Sequence, residues 1–318
     1  MGSVTVRWID AEGTLQQGGL EEFEPAQRAA WCWVDVAGPA EETLARVGAP
    51  FGLHPLAVED SLHPQRRPKL DLYPEGPFLT WLTAHSGEDG RLRIDELDVF
   101  CGPTYLVTLH DGVVEAIDEV ARDAQRLMSK GPDWVLHGIL DRLVDSMLPV
   151  ADGIGDRLED VEDRMLANPT PADLEELYSL RRQLLVLHRI VSPQRDMVRA
   201  LTRERDHVSE EAYRYFDDVV DHLVHIEESL ETYRDIGSAV MDIYLSAQSN
   251  RLNEVMKVLT VVTVLIGALT LLSGIYGMNL LGGMWPPPME PWAFPAAMGA
   301  MLVLAGMMAV YFRRKNWW

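Results

Sequence analysis

The sequence has little cysteine and few basic residues. Its 318 residues include two cysteines, Cys32 and Cys101, which lie far apart and form no Cys-x-x-Cys pair. Neither a disulfide framework nor a thiolate zinc site is therefore predicted. The 28 Lys and Arg residues are outnumbered by 49 Asp and Glu residues, which gives a formal net charge of −21. This acidity disfavours nucleic acid as a partner, because phosphates require a basic surface, and it suits cations.

Sequence motifs of enzymes are also missing. There is no P-loop, nucleophile elbow or paired catalytic motif, so we expect neither nucleotide-driven chemistry nor hydrolysis. His54, His63 and His110 stand in separate segments without ligand-like spacing and are expected to be surface or core histidines. The N-terminal MGSVTVRWID lacks the regions of a secretory signal, so we expect nothing to direct this end across a membrane. The sequence therefore predicts a protein that is not an enzyme and has no cofactor.

The first two thirds of the chain predict an α/β domain followed by long helices. Residues 1–112 contain five short β-rich runs separated by turns, with a helical stretch from about Glu41. The runs are VTVRWID, WCWVDVAGP, PFLTWLTAH, RLRIDELDVF and TYLVTLHDG. Residues 113–250 have apolar residues at spacings of three and four, which predicts long cytoplasmic helices including the start of a stalk helix. Pro149 and Pro193 lie inside these helices and should cause kinks or short breaks.

Long uncharged runs are confined to the end of the chain. Helical spacing continues to Tyr276, and neither Val258–Leu281 nor Pro291–Phe312 contains a charged residue. Runs of this length are typical of membrane-spanning helices. Buried core helices are the alternative, but two such runs joined by one short Gly/Pro-rich loop disfavour it. We predict an α+β membrane protein whose transmembrane domain, residues 251–318, has spans at about 257–277 and 292–312.

The flanking charges predict the orientation of the two spans. Arg251 and Lys257 precede the first span, and the basic run 313–315 follows the second. Positive charges accumulate on the cytoplasmic side of membrane proteins. Both termini are therefore expected in the cytoplasm, with the loop at 277–290 outside.

One face of the first spanning helix carries hydroxyls, amides and glycines. Alternating spacings of four and three residues place a set of side chains on one face of this helix. The face begins in the predicted cytoplasmic stalk at Asp235 and includes Asp242, Ser246, Ser249, Asn253, Met256, Thr260, Thr263, Gly267, Thr270, Gly274 and Gly277. Small residues also let helices pack closely, and that alternative stays open. However, polar residues beyond the membrane suit a water-filled path better than dry packing. Several copies around an axis would turn the face into rings of oxygen ligands for a hard divalent cation.

Two further expectations follow from this arrangement. Met256 and Leu259 lie near the inner membrane boundary, where apolar rings could close a path by dewetting. A chain with two spans cannot enclose a pore by itself, so oligomerisation is required.

Several segments resemble the CorA family of magnesium and cobalt transporters. SNRLNEVMKVLT and TLLSGIYGMN, within 249–279, resemble the family signature. WVDV, LHPLAVEDSLHPQRRPKLD, YLVTLHDG, YFDDVVDH and FRRKNWW also resemble CorA segments. The resemblance implies a homopentamer in the bacterial inner membrane, with Mg²⁺, and also Co²⁺ or Ni²⁺, as substrate and as regulatory ligand.

The resemblance also implies roles for individual residues. Gly277, Met278 and Asn279 match the outer-mouth motif, in which Asn279 receives the hydrated cation. Asn253, Met256, Leu259 and Thr260 match inner pore positions. The acidic positions that bind regulatory metal between cytoplasmic subunits are matched by Asp60 and Asp242, with Glu59 and Asp218 as weaker candidates.

Two departures from the family pattern leave the transported ion open. After the motif the chain reads LLGGMWPPPMEPW, and its Gly-Gly pair resembles the related ZntB zinc transporters. Gly267 stands where a bulkier apolar residue is common in CorA, which predicts a wider constriction. A proton-coupled Zn²⁺ transporter is therefore the alternative within transport. A membrane-anchored metal sensor is the alternative of another class, although an anchor needs no polar face.

Overall fold

The computed structural model describes residues 2–26, 28–63, 67–87, 90–111, 114–203, 208–277, 291–315 and 317. It divides into two compact units, Met1–Val240 and Met241–Trp318.

The first unit contains a seven-stranded sheet. Its strands are β1 (Ser3–Ile9), β2 (Leu15–Gly18), β3 (Cys32–Ala37), β4 (Lys69–Tyr73), β5 (Gly76–Ser86), β6 (Leu92–Gly102) and β7 (Tyr105–His110). They are ordered β2-β1-β3-β7-β6-β5-β4. The β3–β7 pair is parallel and all other neighbours are antiparallel. The sheet confirms the predicted α/β character of this region.

Nine α-helices accompany the strands in the described ranges. They are α1 (Phe23–Ala26), α2 (Glu41–Gly48), α3 (Pro55–Leu62), α4 (Glu115–Arg122), α5 (Ala124–Met128), α6 (Pro132–Ala167), α7 (Pro171–Arg203), α8 (Glu210–Gly277) and α9 (Ala293–Arg314). Two 3-10 turns, Leu20–Glu22 and Ala49–Phe51, precede α1 and follow α2.

Helices cover both faces of the sheet. One core joins Val34, Val36 and Val107 of the central strands to Leu44 of α2 and Ala57 of α3. On the other face α6 contacts β5, β6 and β7, and α7 contacts β4 and β5. All six residues of β7 are buried, because helices cover both faces of this central strand. The side chains of such a strand must be apolar or hydrogen-bonded.

The buried cysteines belong to this core. Cys32 begins β3 with 1% of its surface exposed, and Cys101 lies in β6 with 4% exposed. Burial raises the pKa of each thiol to about 12. Both residues are therefore small apolar side chains in practice.

The predicted short breaks at two prolines do not occur. Pro149 lies inside α6 and Pro193 inside α7, and both helices are assigned without interruption. Buried residues follow each proline, Val150 in α6 and Gln194 in α7, and the Gln194 side chain donates to the Leu82 carbonyl at 2.7 Å. Packing on both sides of the proline therefore holds the helix although one N–H is missing.

The second unit consists of the last part of α8 and of α9. Both helices contain a window apolar enough to cross a membrane, with mean hydropathies of 2.4 and 1.9. Only 6% of each window is buried, so these are not the core helices of a soluble protein. They are two candidate membrane spans.

Candidate permeation path and cation-binding clusters

The polar face of α8 is exposed along its whole length. Thr260 is half-buried, and the other positions of the face are exposed, as is Leu259 beside it: Asp242, Ser246, Ser249, Asn253, Met256, Thr263, Gly267, Thr270, Gly274 and Gly277. No neighbouring segment of the described chain covers this face. It is therefore free to line a path or to contact another molecule.

The buried side of the same helix lies opposite. Val261 is 5% exposed, and Leu265 and Ala268 are half-buried. At 3.6 residues per turn these positions project about 100–160° away from Thr263 and Gly267. The intramolecular packing of α8 in the second unit therefore uses a face other than the polar one.

The glycines on the polar face are not needed for close packing within the chain. A Cβ atom built on Gly267, Gly274 or Gly277 meets no heavy atom of the described residues within 4 Å. Glycines required by a helix contact would show a neighbour at that distance, as Gly155 in α6 does. Close packing inside this chain is thereby excluded as their explanation, while contact between copies stays open.

Near the start of the first candidate span, a hydroxyl side chain follows two exposed apolar side chains. Met256 and Leu259 are 57% and 56% exposed. The Thr260 hydroxyl donates its proton to the Met256 carbonyl at 2.8 Å. A hydroxyl whose proton is used in this way presents only its lone pairs to a ligand, which suits a cation.

The predicted outer-mouth motif is described only at its first residue. Gly277 ends α8. Met278 and Asn279 lie outside the described residues, so their role stays a prediction.

Asp60, the first predicted regulatory ligand, is already in an ion pair. It lies in α3, and its Oδ2 is 2.6 Å from Nζ of Lys69 in β4. Lys69 also pairs with Asp71 at 2.7 Å, and its hydrogen bonds to Asp60 and Asp71 raise the pKa of its ammonium group. Glu59 is exposed on the same helix. A divalent cation at Asp60 would have to compete with the Lys69 ammonium group.

A second cluster joins α6 and α8. Ligand atoms of Asp141, Asp218 and His222 lie within 4.8 Å of one another. Asp145 Oδ1 also lies 3.3 Å from His222 Nδ1. Two carboxylates and an imidazole at this spacing can hold a divalent cation, with oxygen ligands suited to Mg²⁺ and the imidazole to Zn²⁺.

Partial burial disfavours the charged form of the carboxyl groups in this cluster unless a cation is bound. Asp141 and His222 are half-buried and Asp218 is exposed. Burial, and then the nearby Asp145 carboxylate, raise the pKa of Asp141, while His137 and His222 oppose the shift. Removing water from a carboxylate disfavours its charged form, which a bound cation would restore.

The predicted regulatory residues do not form one site within the chain. Asp218 is in the α6–α8 cluster, and Asp60 is paired with Lys69 instead. Asp242 is exposed in the second unit. Asp141 and His222 were not predicted from the sequence, although Asp218 and His222 share a helix face at a spacing of four residues.

The three N-terminal histidines occupy separate places. His54 stacks on Tyr73 with ring centroids 4.0 Å apart. His110 Nε2 is 3.4 Å from Asp35 Oδ1, and a ring nitrogen of His63 is 3.0 Å from the Glu59 carbonyl. Each is accounted for by local structure.

Two exposed apolar helices, an oxygen-bearing face and a cluster of two carboxylates and an imidazole are the features expected of a membrane protein that handles cations. A family model described as CorA-like Mg²⁺ transporter protein matches residues 28–314. The chain belongs to this family. It is therefore a divalent metal ion transporter and not an enzyme, which confirms the prediction from the sequence.

Individual relatives agree with this assignment. The cobalt/magnesium transport protein CorA of Thermotoga maritima is 30% identical over 292 residues, covering 90% of this chain and 83% of that one. The zinc transport protein ZntB of Pectobacterium carotovorum is 24% identical over 323 residues, covering 99% and 96%. The solved CorA structure from Methanocaldococcus jannaschii has a TM-score of 0.85 at 23% identity, covering 99% and 98%, which confirms the fold.

Proposed function

We propose that the chain forms a homopentameric channel that admits Mg²⁺, and also Co²⁺ or Ni²⁺, through the bacterial inner membrane. The exposed oxygen-bearing face of α8, which points away from the buried side of the helix, is the observation that carries this proposal. Five copies with this face turned to a common axis would build rings of hydroxyl and amide oxygens. Both termini lie in the cytoplasm in this arrangement, as the basic residues flanking the two spans favour.

Such rings suit a cation that keeps much of its water. Mg²⁺ prefers oxygen ligands and dehydrates reluctantly, so neutral oxygens can hydrogen-bond to its hydration shell without stripping it. Asn279 receives the hydrated cation at the outer mouth, between Gly277 and the following loop. The membrane potential drives entry, because it supplies about 2.3 kcal/mol per elementary charge per 100 mV, or roughly 4.6 kcal/mol for a divalent ion.

Closure of the path is assigned to Met256 and Leu259. Both side chains are exposed on or beside the polar face, directly before the oxygen ligand at Thr260. Apolar rings at this height would expel water when the assembly is narrow. Replacing both residues with serine is expected to raise resting flux, and unchanged resting flux would remove the gate from this position.

Cytoplasmic metal controls the assembly in this proposal. The α6–α8 cluster of Asp141, Asp218 and His222 supplies ligands within the chain, and Asp60, with Glu59 beside it, supplies carboxylates on α3. A cation that bridges carboxylates cancels their repulsion and favours the closed state by its differential affinity. Asp242, on the polar face, concentrates cations at the inner end of the path.

Ion uptake into proteoliposomes tests the channel directly. Vesicles containing a Mg²⁺-sensitive dye and held at an inside-negative potential should take up Mg²⁺, and Asn279→Ala should abolish uptake. Absence of potential-driven uptake by assembled protein would contradict the channel and favour a membrane-anchored metal sensor.

A matched pair of variants tests the polar face. Thr263→Val removes a hydroxyl from that face at almost constant volume and is expected to reduce flux severalfold. Val258→Thr makes the reverse exchange at an exposed position of the same helix, about 140–180° around the axis from Thr263 and Gly267, and should leave flux unchanged. Equal effects of the two substitutions would argue against a path along this face.

Zinc transport is the second candidate function. The zinc-named relative matches nearly the whole chain, and the α6–α8 cluster contains an imidazole ligand. The same vesicles, loaded with a Zn²⁺-sensitive dye, separate the two functions. Zn²⁺ uptake that requires a pH gradient would contradict the proposed Mg²⁺ channel and support proton-coupled zinc transport.

A further inference from the structure

A carboxyl group is buried within the sheet of the first unit. Asp98 lies in β6 with 4% of its surface exposed, although its neighbours on the same face are core residues. It is in register with Thr80 of β5 and Leu109 of β7. The Thr80 hydroxyl, itself fully buried, donates to Asp98 Oδ1 at 2.6 Å. A carboxylate in this position is energetically unfavourable, because burying a charge is costly unless it is paired.

A cavity of about 550 Å³ connects this carboxyl group to the end of α3. Asp98, Leu82 and Leu109 line it from the sheet, and Ser61 lines it from α3. Water can therefore exchange a proton with Asp98 although the side chain is buried.

The Ser61 hydroxyl of α3 does not donate a hydrogen bond into this cavity. The Ser61 hydroxyl donates to the Ala57 carbonyl at 2.9 Å and approaches the Val58 carbonyl at 3.1 Å. Only its lone pairs are left, and they can accept a hydrogen bond from a protonated carboxyl group but not from a carboxylate.

The charges around Asp98 also favour its protonated form. Burial raises the pKa of Asp98 to about 7; the Thr80 hydrogen bond opposes the shift, and Glu96 and Asp60 reinforce it. Lys69, the ammonium group on the neighbouring strand β4, is engaged by Asp60 and Asp71. Besides Asp98, the charged and titratable residues that line the cavity are Arg93, Asp95 and Glu96 on β6, and His110 and Asp111 at the end of β7. Asp60 on α3 acts on Asp98 through its charge, and Lys69 on β4 is paired with Asp60.

We propose that Asp98 is a proton-binding site that controls how tightly α3 packs on the sheet. With the proton bound, the carboxyl group is neutral and compatible with the acceptors of α3. When the proton leaves through the cavity, the carboxylate faces Ser61 lone pairs and the Asp60 charge, and α3 loosens. Because α3 carries Asp60, the proton would also modulate cation binding there, a consequence that rests on the proposed function.

The direction of the pH dependence follows from the raised pKa. When α3 opens, Asp98 meets water and takes an ordinary pKa of about 3.9. The opening constant of α3 should therefore rise roughly tenfold per pH unit between about pH 5 and pH 7, and level off above about pH 7. Packing is tightest in acid and weakest in base.

Hydrogen exchange of the α3 amides, residues 55–62, in the full-length protein without added metal tests this. After correction for the pH dependence of intrinsic exchange, the protection of these amides should fall about tenfold per pH unit between about pH 5 and pH 7 and then level off. In Asp98→Asn the protection should not depend on pH. Asp95→Asn, which alters a more exposed carboxyl group on the same strand, should keep the wild-type slope. A flat wild-type curve, or the wild-type slope in Asp98→Asn, would overturn the proposal.

A second variant keeps the test decisive if Asp98→Asn does not fold. Thr80→Val removes the hydroxyl that favours the carboxylate at almost constant volume, so the levelling-off should move to higher pH. No movement would overturn the assignment to Asp98. Because the measurement involves neither metal nor flux, its failure is distinct from failure of the proposed transport function.

Discussion

Single residues fix the start of α7. Thr170 and Asp173 form a capping box, in which the Thr170 amide donates to Asp173 Oδ2 at 3.0 Å and the Asp173 amide to Thr170 Oγ1 at 3.4 Å. Arg164 at the end of α6 contacts Asp173 Oδ1 at 2.7 Å. The cap therefore also fastens the α6–α7 turn.

Removal of this cap should destabilise the first unit. Thr170→Ala is expected to lower the free energy of unfolding by about 1 kcal/mol, measured by chemical denaturation. The Thr170 hydroxyl, followed by Arg164, lowers the pKa of Asp173 to about 2. The contribution of Asp173 should consequently persist above about pH 4 and disappear as the pH falls towards 2.

A mid-helix threonine provides the control for the cap. The exposed Thr232 hydroxyl donates to the Glu228 carbonyl of its own helix. Thr232→Ala should therefore be nearly neutral, since alanine is the better helix former. Equal losses in the two variants would show that the cap contributes nothing of its own.

The α6–α8 cluster makes a prediction about metal binding. If Mg²⁺ binds there, saturating metal at a hundredfold excess over its dissociation constant should stabilise the protein by about 2.7 kcal/mol. Asp218→Asn should abolish this thermal shift, whereas Asp217→Asn, which changes the exposed neighbour outside the cluster, should retain it. A shift preserved in Asp218→Asn would place the metal elsewhere.

This cluster also marks the limit of what could be predicted from residues alone. Asp218 was predicted as a metal ligand through the family resemblance. Asp141 was not predicted, because the two residues lie on different helices. Only the packing of α6 against α8 brings their carboxylates together. In contrast, the polar face of α8 could be predicted in full, since a helix period relates all its residues without any tertiary contact.

At the scale of elements, the contact between α6 and the first part of α8 depends on one glycine. A Cβ atom on Gly155 would lie 2.5 Å from the ring of Tyr233, whereas a Cβ atom on Gly153 would meet nothing within 4 Å. The Tyr233 hydroxyl also donates to Asp152 Oδ1 at 3.2 Å. Gly155 therefore provides space for Tyr233.

Alanine at these two glycines should have opposite effects. Gly153→Ala should stabilise the protein by up to about 1 kcal/mol through helix propensity. Gly155→Ala gains the same propensity but must displace the Tyr233 ring, a cost of about 1–3 kcal/mol. Thermal unfolding of the two variants measures the difference. Equal melting temperatures would show that the ring moves aside without cost.

The elements themselves were predictable to different degrees. Five of the seven strands and the long helices follow from apolar period and length. The edge strands β2 and β4 were missed, since Leu15–Gly18 is short and polar and Lys69–Tyr73 begins beside Pro68. Pro149 and Pro193 were expected to cause kinks or short breaks, and the breaks do not occur because tertiary packing keeps both helices continuous.

For the whole molecule, Gly267 offers a test that separates transport from folding. A Cβ atom there meets no heavy atom of the described residues within 4 Å, so we expect methionine to leave stability unchanged. In the proposed pentamer, five side chains would narrow the path, and Mg²⁺ flux should fall at least tenfold. Gly306→Met, on α9 and equally free of neighbours, should not reduce flux. Equal flux in both variants would contradict a path along Gly267.

The buried thiols have a practical consequence for labelling chemistry. Maleimides and methanethiosulfonates react with thiolates, and Cys32 and Cys101 are neither ionised at neutral pH nor accessible. The natural chain is thus an unreactive background in which any introduced cysteine would be the single target of such a reagent. Scanning reporter cysteines along α8 could then map water access position by position, without first altering the core.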